Sequence, residues 1–153
     1  MSTHGSTAPV GAEPHTVIVS GAGTGFRQEI VVGPHRLVGD EPVAVGGTDE
    51  GPTPYDLILA ALGSCTSMTI SMYARRKQWP VESVTVTLRH SRIHAADCET
   101  CETKAGRLDR IDATIELVGP LDEAQRAKLL EIAHKCPVHR TLTSETEIRA
   151  VLA

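Results

Sequence analysis

Residues Thr53–Lys77, TPYDLILAALGSCTSMTISMYARRK, decide the fold of this chain. The stretch opens with helix-start signals, because Thr53 can serve as an N-cap, Pro54 suits the first helical position, and Asp56 supplies a capping-box acid. It closes with Arg75–Lys77, whose positive charges suit the negative end of a helix dipole. The sequence therefore predicts a helix of roughly 24 residues, which at 1.5 Å per residue is about 36 Å long.

This predicted helix is apolar or small on nearly every side, and such a helix needs protein around it. Its length exceeds the ~30 Å diameter of a small domain, so the short strands of one protomer cannot easily enclose it. We therefore expect a homodimer in which the helices are buried between two sheets. Cys65 falls near the middle of the helix, where we expect a sheltered thiol.

Alternating apolar and polar residues predict strands on both sides of the long helix. A second helix is expected to start at Asp122, with Gln125 as its capping-box partner. The order β-β-β-α-β-β-α-β indicates an α+β fold with antiparallel pairs. Residues 1–14 predict a flexible segment, so we expect a single domain over residues 15–153. We expect the strands over residues 15–20, 26–32, 36–38, 81–90, 108–118 and 144–152.

The composition argues against several classes of protein. A formal net charge of −4 and the lack of a basic cluster beyond the helix end argue against nonspecific nucleic-acid binding. Polar residues between Gly63 and Ser71 interrupt the apolar run and argue against a membrane span. The start of the chain has neither the basic nor the apolar region of a secretion signal. We therefore expect a cytoplasmic protein whose four cysteines are reduced thiols, suited to redox or metal chemistry.

Cys65 and Cys136 each fall on or at the end of a predicted core-facing helix. One interpretation is that both are small buried hydrophobic residues. The other is a thiol pair, in which one cysteine attacks an oxidant and the other resolves the sulfenic acid as a disulfide. A cysteine in the middle of a helix gains little from the helix N-terminus, so a thiolate at Cys65 would require a cation from elsewhere. The candidate cations are Arg27, Arg36 and Arg140.

Two motifs stand out in the sequence. The first runs from Pro54–Leu57 (PYDL) through Ala60–Cys65 (AALGSC), and the second is Cys136–Leu142 (CPVHRTL). Together they resemble the OsmC/Ohr family of osmotically inducible and organic hydroperoxide resistance proteins. The resemblance covers nearly the whole chain from the first strand onward. It implies an OsmC-like α+β fold, with antiparallel sheets wrapped around two central helices in an intertwined homodimer.

The resemblance also implies a role in the oxidative stress response, as a thiol-dependent peroxidase acting on hydroperoxides, organic ones especially. Cys65 matches the peroxidatic cysteine of the family, Cys136 matches the resolving cysteine, and Arg27 is the nearest match to the activating arginine. Dithiols such as dihydrolipoyl groups serve as the reductant in some members. No metal or organic cofactor is implied.

The chain departs from the family pattern at the start of the long helix. Family peroxidases usually have a glutamate directly after the proline, where it pairs with the active-site arginine, whereas this chain has Tyr55 followed by Asp56. An alternative function therefore stays open: a small-ligand or metal-binding protein of the OsmC fold without efficient peroxidase turnover.

A second departure is the insert His90–Cys101 (HSRIHAADCETC). Its C-x₂-C spacing is compatible with zinc, and a compact site would use His90, His94, Cys98 and Cys101. The two histidines fall on the same face of a strand, too far apart unless the chain bends after His90. A redox pair that reduces the main thiols is a second interpretation. A solvated loop with two free thiols is the third.

Overall fold

The computed structural model describes residues 16–153. The flexible segment predicted over residues 1–14 lies outside this range. The chain divides into two compact units, one ending at Pro54 and the other comprising Tyr55–Ala153. The single domain expected over residues 15–153 stays a prediction.

The first unit is a three-stranded antiparallel meander, as the sequence predicts. Its strands are β1 (Val17–Gly21), β2 (Gln28–Val32) and β3 (His35–Gly39), in the order β1-β2-β3. A two-residue turn joins β2 to β3, and its first residue, Gly33, has a φ of 56°, a conformation that glycine adopts without steric cost. A short 3₁₀ turn follows at Val43–Val45.

Asp40 organises the loop after β3. Its carboxylate is buried and accepts hydrogen bonds from the Thr48 hydroxyl at 2.6 Å, from the Glu41 N–H at 2.8 Å, and from the N–H groups of Thr48 and Glu50 at 3.2 Å. The Thr48 hydroxyl, helped by these N–H donors and opposed by burial, lowers the pKa of Asp40 to about 2. The loop is therefore held by one ionised side chain.

The second unit is built around the long helix and a β-hairpin. Helix α1 (Pro54–Lys77) is 24 residues long, as predicted. Strands β4 (Ser83–His94) and β5 (Arg107–Val118) pair antiparallel over their full lengths. Helix α2 (Glu123–Ala133) begins with the predicted capping box, in which the Gln125 N–H donates to Asp122 at 2.7 Å and the Asp122 N–H donates to the Gln125 side chain at 3.0 Å.

The core of this unit lies where the second half of α1 meets α2. Ile70 and Ala74 of α1 are buried against Leu129 and Ala133 of α2. Partly buried side chains from α1 itself, the hairpin and the hairpin's connections complete this core, namely Tyr73, Trp79, Val81, Val84, Ile115, Leu117 and Leu121. Helix α1 is thus a core helix. By length and composition alone it is also long and apolar enough to cross a membrane, but the core helix of a soluble protein passes the same test.

The end of the chain differs from the prediction. A third helix, α3 (Pro137–Thr143), follows α2, and residues 145–153 form neither helix nor strand. The strand expected over residues 144–152 is therefore wrong for this structure, because alternation produces a strand only where another strand pairs with it, and none of the described strands does. The observed order is β-β-β-α-β-β-α-α, with Ile148, Val151 and Leu152 almost fully exposed.

Candidate active site at two thiols

The two predicted thiols meet inside the second unit. Cys65 lies in the middle of α1, and Cys136 is the N-cap of α3 in the tight connection that follows α2. Pro137 occupies the first turn of α3, where its missing N–H costs no hydrogen bond. The Thr66 hydroxyl of α1 donates to Cys136 Sγ at 3.8 Å, and the two cysteine side chains hydrogen-bond to each other.

The sulfur of Cys136 is surrounded by hydrogen-bond donors that stabilise its thiolate form. Its side chain is fully buried, and burial by itself raises a thiol pKa. Against this, the His139 N–H donates to Cys136 Sγ at 3.3 Å, and the Cys65 thiol and the Thr66 hydroxyl also donate to it. These donors outweigh burial and lower the pKa of Cys136 below that of an ordinary thiol.

For Cys65, the effect of burial on the pKa outweighs the effect of the hydrogen-bond donors. Its side chain is only partly buried, but desolvation is still the largest influence and raises the pKa of Cys65. The Val138 N–H and the Thr69 hydroxyl act against this rise, while the neighbouring Cys136 adds to it. The pKa of Cys136 is thus lowered and that of Cys65 raised, so the buried Cys136 is the thiol of the pair that loses its proton at the lower pH.

The thiol-stabilising groups differ from the cations expected from the sequence. Backbone N–H groups of Val138 and His139 in the first turn of α3 point at the two sulfurs. The signal for them was the Cys136-Pro137 dipeptide, because proline is favoured in the first turn of a helix. Arg140 belongs to this helix, and its N–H donates to the Cys136 carbonyl at 3.1 Å.

Arg27, the activating cation that the family resemblance implies, lies in the first unit. Its guanidinium donates to the Glu50 carboxylate at 2.5 Å and lies 3.9 Å from Glu29. The hydrogen bond and the charge of Glu50 raise the pKa of Arg27. An acid–arginine pair therefore exists, but its acid is Glu50 rather than a residue at the start of α1. Arg36, the remaining candidate, lies on β3 opposite Val31.

The residues at the start of α1 have other contacts. The Tyr55 ring stacks on the His90 ring of β4, with centroids 4.4 Å apart. His90 Nε2 lies 2.8 Å from Asp109 Oδ1, and this hydrogen bond lowers the pKa of Asp109. Next to the Cys65 position, a cavity of about 370 Å³ opens between α1 and β4. It is lined by Asp56, Leu59, Ala60, Gly63, Ser64, Ser67, Val86 and Leu88.

Cys98 and Cys101 of the insert form a disulfide with each other. The expectation that all four cysteines are reduced is therefore wrong for these two. A disulfide sulfur is not the thiolate that ligates zinc, and His90 is engaged with Asp109 and Tyr55. Within residues 16–153, no group of three or more His, Cys, Asp or Glu side chains is placed to hold a metal ion. The zinc alternative thus lacks its sulfur ligands.

Comparison with known proteins defines the class to which this fold and thiol pair correspond. The family model described as OsmC-like protein matches residues 47–151, which is well over half of the chain. The chain belongs to the OsmC family. No curated protein matches the sequence significantly.

Solved structures share the fold at low sequence identity. A Psychrobacter arcticus protein, described as an osmotic stress induced and detoxification response protein, has a TM-score of 0.67 and 20% identity, covering 87% of this chain and 91% of its own. An organic hydroperoxide resistance protein OsmC from Legionella pneumophila has a TM-score of 0.63 and 19% identity, covering 86% and 90%. An organic hydroperoxide resistance protein from Elizabethkingia anophelis has a TM-score of 0.64 and 14% identity, covering 88% of this chain and 91% of its own. These similarities establish the α+β OsmC-like fold.

Proposed function

We propose that this protein is a thiol-dependent peroxidase that reduces organic hydroperoxides through Cys65 and Cys136. The observation that carries the proposal is the direct hydrogen bond between these two thiols, one partly exposed and the other buried among N–H and hydroxyl donors. Two cysteines packed as inert hydrophobic residues would not need such donors. The resistance to organic hydroperoxides named for two structural neighbours supports the same class of substrate.

The first chemical step takes place at Cys65, because its sulfur is the accessible one. Its thiol passes its proton to the Cys136 thiolate, and the resulting Cys65 thiolate attacks one peroxide oxygen. The O–O bond breaks and the leaving alkoxide takes a proton from Cys136, so the products are an alcohol, a sulfenic acid at Cys65 and a thiolate at Cys136. Cys136 thereby acts as the general base and acid of this step.

The second step closes the disulfide. The Cys136 thiolate attacks the sulfur of the Cys65 sulfenic acid, hydroxide leaves as water after taking a proton from solvent, and a Cys65–Cys136 bond forms. An external dithiol, such as a lipoyl-type group, then reduces this bond through a mixed disulfide. Neither step requires a metal or an organic cofactor.

We propose Arg27 as a further contributor that polarises the peroxide or the attacking sulfur. Its ion pair with Glu50 supports this role, since such a pair orients a guanidinium. An Arg27→Met variant is expected to slow the reaction of Cys65 with peroxide while leaving the reactivity of the protein toward a small alkylating agent less affected. Equal losses in both reactions would instead indicate a structural role.

We further propose that the protein works as a cytoplasmic homodimer. Helix α1 exposes large apolar side chains, with Met68 70% and Met72 58% exposed, and Ile148 and Leu152 near the C-terminus are also exposed. A second copy of the chain would cover such surfaces. Light scattering after gel filtration at micromolar concentration measures the mass directly, and a mass of one chain would contradict the dimer.

The peroxidase proposal is tested by intact-mass spectrometry of the reduced protein, before and after one equivalent of cumene hydroperoxide, with peptide mapping of early products. We expect a two-hydrogen mass loss that maps first to Cys65 and Cys136. An unchanged mass would contradict the proposal and favour a binding protein of the same fold.

A further inference from the structure

We propose that Cys98 and Cys101 are a second redox pair, which reduces the Cys65–Cys136 disulfide and is itself re-reduced by an external dithiol. This inference rests on the proposed function, because it names the group that completes the peroxidase cycle. It also accounts for the one cysteine motif that the peroxide chemistry leaves unused.

The disulfide has the character of a redox pair rather than a structural link. Its cysteines are three positions apart in the sequence, and the stabilisation that a disulfide provides grows with the loop it closes. A bond across so short a segment restricts little of the unfolded chain. C-x₂-C is instead the spacing of thiol–disulfide exchange motifs, in which the bond opens and closes without rearranging the surrounding fold.

The placement of the pair gives access to a reductant. Both cysteines are half-buried in the loop of residues 95–106 that joins β4 to β5. They line a cavity of about 670 Å³, a volume in the range that small-molecule sites occupy. The wall of this cavity is formed by Ile93, Asp97, Cys98, Glu99, Thr100, Cys101, Leu108, Asp109, Arg110, Ile111 and Thr143.

The same cavity reaches the far end of the helix that Cys136 caps. Thr143 is the last residue of α3, and Cys136 caps the other end of that helix. Seven helical residues span about 10 Å. Cys98 follows the last residue of β4 by four positions, and a four-residue tether reaches at most about 14 Å. The relay requires the loop to move by about the length of α3, which a four-residue tether can span.

Cys98 is the attacking thiol of this exchange. The Lys104 ammonium donates to the Cys98 carbonyl at 3.0 Å, which places a positive charge near this cysteine and favours its thiolate. Cys98 attacks Cys65 Sγ, the more accessible sulfur of the oxidised pair, and the Cys65–Cys136 bond breaks. Cys136 departs as a thiolate, which the donors already described stabilise, and a low-pKa leaving group departs faster.

Cys101 completes the transfer. Its thiolate attacks Cys98 Sγ, the mixed disulfide breaks, and Cys65 departs and takes up a proton. Two electrons have then moved from the insert to the helix pair. An external dithiol, oxidised to its own disulfide, restores the two thiols of the insert.

The test follows the position of the disulfide with time. The fully reduced protein receives one equivalent of cumene hydroperoxide, and samples are alkylated at intervals and mapped by mass spectrometry. We expect the bond to form first at Cys65–Cys136 and then to move to Cys98–Cys101. The Cys101→Ser variant is expected to accumulate a mixed disulfide between Cys98 and Cys65. An exposed residue of the same loop provides the matched control, and Glu102→Gln is expected to behave as the unaltered protein.

The outcomes separate the two proposals. A disulfide that stays at Cys65–Cys136, with no mixed disulfide in Cys101→Ser, overturns the relay and leaves the peroxidase intact. A bond that forms directly at Cys98–Cys101, in a Cys65→Ser variant as well, overturns both. No disulfide at any cysteine overturns the peroxidase, and the relay with it. Circular dichroism of each variant establishes that it is folded.

Discussion

Cys65 and Cys136 come from two helices far apart in the sequence, and the fold brings them together beside Thr66 and the first turn of α3. Cys98 and Cys101 are neighbours in one hairpin loop and are already bonded to each other. The first pair is hydrogen-bonded to donors that separate the two pKa values, whereas the second is set beside an open cavity. The difference indicates that tertiary structure sets the pKa values of one pair, whereas sequence spacing alone brings the cysteines of the other pair together.

Removing one cysteine from each pair is expected to separate their roles most strongly. Cys65→Ser is expected to lower the rate of peroxide consumption by at least about a thousandfold, since the attacking sulfur is gone. Cys98→Ser is expected to retain the first oxidation at Cys65. Peroxide consumption in the presence of a dithiol measures the former, and trapping of the sulfenic acid measures the latter. Multiple turnovers in Cys65→Ser would contradict the assignment.

Removal of the buried Cys136 is expected to have a smaller effect on the first oxidation than removal of Cys65. Cys136→Ser removes both the resolving thiol and the base for Cys65, so we expect a single slow turnover that leaves a sulfenic acid at Cys65 or its mixed disulfide with Cys98. We expect the first oxidation to slow by roughly 10- to 100-fold, the range in which general-base catalysis contributes. A sulfenic-acid probe with peptide mapping measures the product. A disulfide from Cys65 to Cys98 at the unaltered rate would show that Cys136 is dispensable.

A smaller effect is expected from the donors around Cys136. Thr66→Val keeps the volume of this buried side chain but removes the hydroxyl that donates to Cys136 Sγ. The pKa of Cys136 is lowered in the folded protein, so its thiolate is lost as the pH falls through that pKa, and loss of a donor moves this transition to higher pH. At neutral pH we expect oxidation to slow by roughly 2- to 10-fold, the cost of one hydrogen bond.

Thiolate absorbance as a function of pH measures this shift. Thr69→Val is the matched comparison, because Thr69 donates to Cys65 and not to Cys136. It is expected to raise the pKa of Cys65 further. Identical titrations for Thr66→Val and the unaltered protein would contradict the assignment of the charge to Cys136.

The smallest effect concerns the loop pair. Lys104→Gln removes the ammonium group beside Cys98, so the Cys98 thiolate is less favoured and the movement of the disulfide to the insert is expected to slow by about threefold. The formation of the Cys65–Cys136 bond is expected to keep its rate. The time course of mapped disulfides measures both rates in one experiment. An unchanged transfer would assign the attack to Cys101 instead.

Features fixed by local chemistry could be predicted from the sequence. The 24 residues of α1 followed from its end signals, and the capping box of Asp122 and Gln125 formed as expected. The strand over residues 144–152 failed because strand formation depends on a partner, which one segment cannot reveal. Strand β4 continued to His94, past the predicted end at His90, because β5 pairs with it throughout.

The candidate site could likewise be predicted from the sequence only in part. Cys65 and Cys136 could be identified from their motifs, and the structure brings them together. Their donors could not be foreseen, because the direction of the Val138 and His139 N–H groups depends on where α3 begins in space. The sequence instead predicted that a cation stabilises the Cys65 thiolate, but Arg27 forms an ion pair with Glu50. Motifs thus locate reactive atoms, while packing decides which of them carries the charge.

Because Cys136 lies at the start of α3, we expect its oxidation to change the stability of this helix. In the reduced protein its sulfur accepts the His139 N–H and acts as the cap of a seven-residue helix. A disulfide sulfur is neutral and a weaker hydrogen-bond acceptor than a thiolate, and a weaker cap lets a short helix fray. The amide protons of α3 are therefore expected to exchange faster with solvent in the oxidised protein. Each catalytic cycle would loosen and re-form the helix that ends at Thr143, beside the cavity of the second cysteine pair.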